Sequence, residues 1–444
     1  MFFSSLAGIS PSGSARRPWA LVLLLGLASW GAGACSDSSS PSDPPTPTTL
    51  SVVAGQGAQA PGGTVLPEGP TVRVLDQDGL GLFGVQVTFQ VLEGGGELAE
   101  ATATTDGDGE AQATWVLGRE AGSTQRLEIS AGDLTEVVEA QAVPVQPGAS
   151  YKGRRDYIEY LPGSLPLVLT APHGGDLEPL EIPDRGWGTT VTDLNTRDLT
   201  LRIRDAIHDA VGAYPHLVIC HLDRVKLDAN RDIDEGAQNN WAAERAWWEY
   251  HTFSDEAGEL VEEAFGQGLY LDIHGHGHEI QRIELGYLLS STDLARSDEG
   301  LSTAGMVTKS SIGALVQASG ETLAELVRGP LSLGTLLQDE GFPSIPSATQ
   351  QETSGEPYFT GGYSTVRHGS RDGGQISGIQ LEHNYRGLRD EATNRQRYAE
   401  ALTAVLQTYF PTHFGFDLAP AAASAPVEAP SIPEVAGAAG FGGF

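Results

Sequence analysis

The chain has 444 residues, with 26 Lys+Arg against 58 Asp+Glu and a formal charge of −32. No basic stripe is present to displace counterions from phosphates, which argues against a nucleic-acid partner, and two cysteines exclude a disulfide scaffold or a thiolate-built zinc module. At 40% hydrophobic and 19% charged residues the body is globular, long enough for two or three domains, and its acidity suits a protein working outside the cytoplasm.

Arg16 and Arg17 precede an apolar run over residues 20–27, too short to span a bilayer as a mature helix. Small residues then lead into Ala32-Gly33-Ala34-Cys35, which resembles a bacterial lipoprotein processing site. Residues 1–35 therefore read as a signal peptide ending at Cys35, whose thiol takes a lipid. The alternative is a plain secretory cleavage nearby. Residues 36–49 are almost wholly Ser, Pro, Thr and Asp, a composition that buries no core and serves as an extended tether. The expected location is the cell envelope, with the chain held to a bacterial membrane by that lipid alone.

Residues 50–147 show short alternating runs: Thr71-Val72-Arg73-Val74-Leu75, a run from Val85 to Val91, and Ala111-Gln112-Ala113-Thr114-Trp115-Val116. Turn signals such as Asp76-Gln77-Asp78-Gly79 and Asp106-Gly107-Asp108-Gly109 separate them, which predicts an antiparallel β-sandwich. Val-Leu-Asp-Gln-Asp-Gly followed by Gly-Val-Gln-Val-Thr-Phe, and Thr-Asp-Gly-Asp-Gly-Glu-Ala ahead of Trp115, resemble the bacterial Ig-like repeats of invasin and intimin type adhesins. That resemblance implies a stalk or spacer.

Over residues 150–416 apolar strands alternate with helical stretches, which predicts an α/β domain with a mostly buried sheet. Sites in such sheets gather at strand carboxyl ends, and the polar residues that stand out fall there. Ala171-Pro172-His173-Gly174-Gly175-Asp176-Leu177-Glu178 follows one strand, Leu271-Asp272-Ile273-His274-Gly275-His276-Gly277-His278 continues a second, and Gly378-Ile379-Gln380-Leu381-Glu382 ends a third. Catalytic zinc takes three protein ligands and keeps an open position. Two strand-end histidines, a carboxylate and a further Glu would meet that need, with one ion expected. After the strand containing Cys220, which reads as a small buried hydrophobe, comes Asp223-Arg224-Val225-Lys226-Leu227-Asp228-Ala229-Asn230-Arg231. Its Arg and Asn suit a substrate carboxylate or developing oxyanion, although a surface salt bridge to Asp232 or Asp234 accounts for the spacing equally well. Residues 417–444 read as an Ala/Pro/Gly-rich disordered tail.

Pro172-His173-Gly174-Gly175, the Asp223 to Arg231 block, Leu271-Asp272-Ile273-His274-Gly275, Tyr358-Phe359-Thr360-Gly361-Gly362-Tyr363 and Ile379-Gln380-Leu381-Glu382 occur in the order seen in the N-formylglutamate amidohydrolase family, which is similar to the zinc carboxypeptidases. The resemblance implies a zinc amidohydrolase on a carboxypeptidase-like α/β/α fold with a mixed sheet. His173 and His274 would be metal ligands, with Glu178 chosen as the third over Asp176 and, more remotely, Asp184. Glu382 would be the general base. Arg224, Asn230 and Arg231 would bind a substrate carboxylate or polarise the scissile carbonyl, and Gly362, Tyr363 and Arg367 would line the pocket. Asp193, Asn195 and Arg197 read as a helix N-cap and first turn, with a minor place for Asp193 beside the metal. The substrate expected is a small molecule, peptide or polymer bearing a carboxylate. The competing reading is a surface adhesin or binding protein whose hydrolase-like domain is inactive.

Overall fold

The computed structural model describes residues 44–421. The expected signal segment, the lipidation residue Cys35, tether residues 36–43 and tail residues 422–444 lie outside them.

The first ten strands build the predicted sandwich: β1 (Thr49–Ala54), β2 (Gln59–Pro61), β3 (Thr71–Leu75), β4 (Gln86–Glu93), β5 (Glu97–Leu98), β6 (Thr102–Thr104), β7 (Glu110–Gln112), β8 (Trp115–Val116), β9 (Thr124–Ala131) and β10 (Leu134–Val143). One sheet has the order β1-β3-β7, the other β2-β10-β9-β4-β6, and β5-β8 is a short ribbon. Alternate residues enter the shared core, among them Val72 and Val74, Val87 and Phe89, Leu127 and Ile129, as the period of two requires. The run 111–116, read above as one strand, divides. β7 pairs with β3 and β8 with β5, and changing sheet between them lets Trp115 fill the core. Asp76 and Asp106 each accept two backbone N–H bonds of 2.9 Å within their own turns, so those carboxylates close the turns.

The second sheet is built from β11 (Tyr151–Lys152), β12 (Ile158–Leu161), β13 (Leu167–Ala171), β14 (His216–Cys220), β15 (Gly268–Gly275), β16 (Ile283–Gly286), β17 (Ser344–Ile345) and β18 (Ile376–His383). Their order is β11-β12-β14-β13-β15-β18-β16-β17. β14, β13, β15 and β18 run parallel, while β12 and β16 join them antiparallel, so the sheet is mixed. Leu167, Leu169, Leu271, Ile273 and Leu381 pack with Leu199 and Ile203 of the helix Thr196–Val211 and with Leu402 and Leu406 of the helix Ala392–Tyr409. Val168, Val218 and Tyr270 share the opposite core with Ala246, Tyr250 and Phe253 of the helix Trp241–Phe265. Helices therefore cover both faces, an α/β/α arrangement. From β13 the chain moves to β14 on one side and from β15 to β18 on the other, which puts the switch point between β13 and β15.

The sandwich is seated on this domain. Buried Arg245, paired with Glu249 at 3.1 Å, donates from Nη2 to the carbonyl oxygens of Leu66 and Pro67. Arg119 reaches Glu259 at 2.6 Å and Glu256 at 3.2 Å. Glu256 is only 5% exposed, and burial pushes its carboxyl up to about 7 from 4.5, Arg119 opposing and Glu259 and Glu263 adding to the rise. The folded state thus binds this proton more tightly than the unfolded chain. Its contribution is complete below about pH 4.5 and is lost as pH rises through about 7, a swing of about 3 kcal/mol at most. Glu256→Gln, which mimics the protonated acid, is expected to flatten the decline in stability between pH 5 and 8. Denaturant midpoints at those two pH values measure it, and a wild-type decline that persists in the variant rejects Glu256 as its source.

Candidate metal centre

Residues paired across neighbouring strands share a face, and in this sheet two rows of them are polar. Thr170, Asp272 and Gln380 are register partners across β13, β15 and β18. His274, Glu382 and Glu284 follow two residues on, across β15, β18 and β16. His173 leaves β13 immediately beside them, at the switch point.

The carboxylate between the two histidines is Asp193. Its Oδ2 lies 3.4 Å from His173 Nδ1 and 3.4 Å from His274 Nδ1. Backbone fixes it there, because its N–H donates to the His173 carbonyl at 3.1 Å and its carboxylate accepts the Gly275 N–H at 3.1 Å. Each imidazole gives its other nitrogen to a fully buried acid: His173 Nε2 to Asp228 at 2.6 Å and His274 Nε2 to Asp272 at 2.8 Å. A proton on each Nε2, facing the acid, would leave both Nδ1 lone pairs to an ion, as in metal-ligating imidazoles with a carboxylate behind them. In the chain alone burial would lower the His274 imidazole, but Asp272 and Asp193 push it up to about 10. His173 Nδ1 is buried without a hydrogen-bond partner.

These residues fit a divalent cation. Three donors around a tetrahedral zinc with bonds of about 2.0–2.2 Å stand about 3.3–3.5 Å apart, matching the two distances to Asp193. Asp193, Asp228, Asp272 and Glu382 converge here, faced by Arg224, by Arg185 at 3.8 Å from Asp228 and by Arg389 near Asp193 and Glu382. Burial alone would raise the Asp193 carboxyl, but the two imidazoles hold it well below the usual carboxylate range. Burial likewise opposes ionisation of Asp228, yet His173 and Arg224 keep it far below that range. Burial pushes Glu382 the other way, up to about 7, with Asp193 and Glu284 adding to the rise and His274 and Gln380 opposing it. Gln380 Nε2 donates to Glu382 Oε1 at 2.8 Å.

His173, His274 and Glu382 thus stand where the sequence places them, but Glu178 does not join them. Glu178 is exposed, Asp176 is exposed and paired with Arg197 at 2.7 Å, and Asp184 binds Lys226 at 2.6 Å. Gly174 and Gly175 explain the difference. A Cβ at Gly174 would lie 2.4 Å from Arg197 N, and one at Gly175 would lie 2.3 Å from Leu222 O. The glycines let backbone pack against backbone, and the chain beyond them runs outward before Asp193 returns. Asp193 therefore does not cap the helix with its side chain; only its carbonyl serves there, accepting from Thr196 Oγ1 at 2.7 Å.

Arg224 is turned to the buried acids. Its Nε bonds Asp228 at 3.0 Å and its Nη1 lies 3.4 Å from Asp193, so the neighbouring acids claim the guanidinium expected to meet substrate. Asn230 is buried beside the centre, its Nδ2 at 3.4 Å from both His274 Nε2 and Gln380 Oε1, its Oδ1 accepting the Ser364 N–H at 2.8 Å. Gly362 permits that contact, since a Cβ there would lie 2.4 Å from Asn230 Nδ2. Arg231 is half-buried and turned to Glu235 at 3.2 Å. Tyr363 packs against Trp247 and His251. Arg367 pairs with Asp255 at 2.7 Å and lines a pocket of about 310 Å³ that shares no residue with the His–Asp cluster. Cys220 is buried and unpaired, and burial raises its thiol to about 12, which leaves it unreactive. The sequence suggests no role for Asp228 or Gln380, and places Asp272 only on the strand face that carries His274. The same strand alternation, which places Gln380 beside Glu382, is the signal that finds Gln380.

No protein-family model and no curated protein matches the chain. Among solved structures it is similar to domains 4 and 5 of the S-layer protein SbsC, at 18% identity and a TM-score of 0.19 over 22% of this chain and 54% of that one. It is also similar to the D00-D0 domain of intimin, at 20% identity and a TM-score of 0.17 over 22% of this chain and 47% of that one. A third is the Yersinia pseudotuberculosis adhesin InvE, at 15% identity and a TM-score of 0.20 over 27% of this chain and 41% of that one. The chain spans about half of those structures or less, and likenesses this slight establish neither activity nor partners. Among the described residues no helix is long and apolar enough to cross a membrane.

Proposed function

We propose that this protein is an exported, lipid-anchored, zinc-dependent amidohydrolase of the N-formylglutamate amidohydrolase or carboxypeptidase-like kind. Its substrate would be an N-acyl amino acid or a glutamyl or peptide-type amide with a free carboxylate. The observation that carries the reading is the single Asp193 oxygen held 3.4 Å from two imidazole nitrogens, each imidazole fixed from behind by a buried carboxylate.

His173, Asp193 and His274 would hold the ion, which when bound supplies Lewis-acid polarisation of the scissile carbonyl and lowers the pKa of a coordinated water. Asp228 and Asp272 keep both imidazoles in the ligating tautomer, and Arg224 holds Asp193 and Asp228 in place. Glu382 takes a proton from the attacking water as the carbon–oxygen bond forms, then gives it to the amide nitrogen as the carbon–nitrogen bond breaks. Asn230, in contact with His274 and Gln380, would offer its amide to the substrate's polar end.

The second reading is a surface binding protein in which the sandwich does the work, and the S-layer and adhesin likenesses fit it. Hydrolysis separates the two. The zinc-loaded chain is expected to cleave at least one member of a panel of formylated, acetylated and γ-glutamyl amino acids, and to lose that activity on chelation. A chain that takes up no zinc and cleaves none supports the binding reading.

A further inference from the structure

Beyond Glu382 the polar row ends at Glu284, a fully buried carboxylate with no part in the chemistry above. Its Oε1 lies 2.9 Å from His278 Nδ1 and its Oε2 accepts the Phe359 N–H at 2.8 Å. The His278 ring lies flat on Phe359, centroids 4.8 Å apart and planes 5° from parallel. One acid thus joins two loops and orients an imidazole as the acid of a His–carboxylate pair does. With Nδ1 given to Glu284, Nε2 has no hydrogen-bond partner among the described residues, and the side chain keeps 24% of its surface exposed. Register partners stand about 5 Å apart, so Glu284, the acid that holds His278, stands one strand beyond Glu382 from His274.

His276, His278 and Glu284 also bring three donor atoms within 4.8 Å of one another. A second cation is the weaker use of them. His276 Nε2 is committed to the Arg282 carbonyl at 2.7 Å and its Nδ1 to the His278 N–H at 3.1 Å. The Arg282 guanidinium, 3.8 Å from Glu284, already places a positive charge there.

We infer that His278 is the residue that recognises a carboxylate on the leaving-group half of the substrate, with Phe359 as the wall against which that half lies. This deepens the hydrolase reading and rests on it. Arg224, the anchor the sequence suggests, is spent on Asp193 and Asp228. An incoming carboxylate meets Nε2, and a proton from solvent completes an imidazolium donating to a carboxylate at each end.

The test uses the zinc-loaded full chain and two calorimetric probes of the leaving half, L-glutamate and L-glutaminamide. Wild type should bind L-glutamate about tenfold or more tighter, the size of one charge-assisted hydrogen bond. In His278→Gln that preference should vanish, with L-glutaminamide binding within about threefold of wild type and zinc content unchanged. Glu284→Gln, which keeps the shape, should narrow the preference. Three outcomes overturn the inference: a preference that survives in His278→Gln, equal weakening of both probes, or loss of zinc in that variant, which would make the ring a metal ligand. Preference without any hydrolysis leaves the recognition site standing and removes the enzyme reading, whereas hydrolysis without preference does the reverse.

Discussion

Glu382→Gln is expected to lower the rate of amide hydrolysis by about 10²–10⁴-fold with zinc bound at the wild-type level. The substitution is isosteric, and its carbonyl oxygen can still accept the hydrogen bond that Gln380 gives Glu382 at 2.8 Å, so the end of β18 should keep its shape. What it loses is the ability to take a proton. A carboxyl that burial brings to about 7 is matched to accepting a proton near neutral pH and giving it up again, whereas an ordinary exposed Glu is too weak a base. Steady-state kinetics with metal analysis on the same sample decide the matter. Undiminished activity with zinc bound would reject Glu382 as the base.

Asp193→Asn is expected to cost about 100-fold or more in zinc affinity, and Asp228→Asn about 10–100-fold, the usual effect of removing the carboxylate behind a ligating imidazole. Glu178→Gln should change neither zinc affinity nor activity, because Glu178 is exposed. Zinc at a thousand times its dissociation constant should stabilise the wild-type fold by about 4 kcal/mol, seen as a higher unfolding midpoint. In Asp193→Asn most of that gain should disappear at the same zinc concentration. An equal gain in wild type and Asp193→Asn would show that the ion binds elsewhere.

Local pattern was enough for the sandwich and for the strand ends that bear the candidate site. Period-two alternation marks β3 and β4, an apolar run marks β13, and the imidazole or carboxylate stands just where each strand meets its loop, because strand geometry is set by neighbours one and two residues away. His173, His274 and Glu382 were legible for that reason. The third member of the cluster, Asp193, was legible only as a minor alternative. Glu178 stands five residues from His173 and Asp193 stands twenty, and nearness along the chain favours the wrong one. Only the folded chain decides it, through backbone that departs at Gly174 and Gly175, packs on Arg197 and Leu222, and returns to set Asp193 under both imidazoles. The same holds for Arg224. Residue type makes it a carboxylate binder, but tertiary packing chooses which carboxylates, and it chose Asp193 and Asp228. A side chain's chemistry is written in its residue type, whereas its partner is fixed by which distant strands lie side by side, and that depends on the whole core.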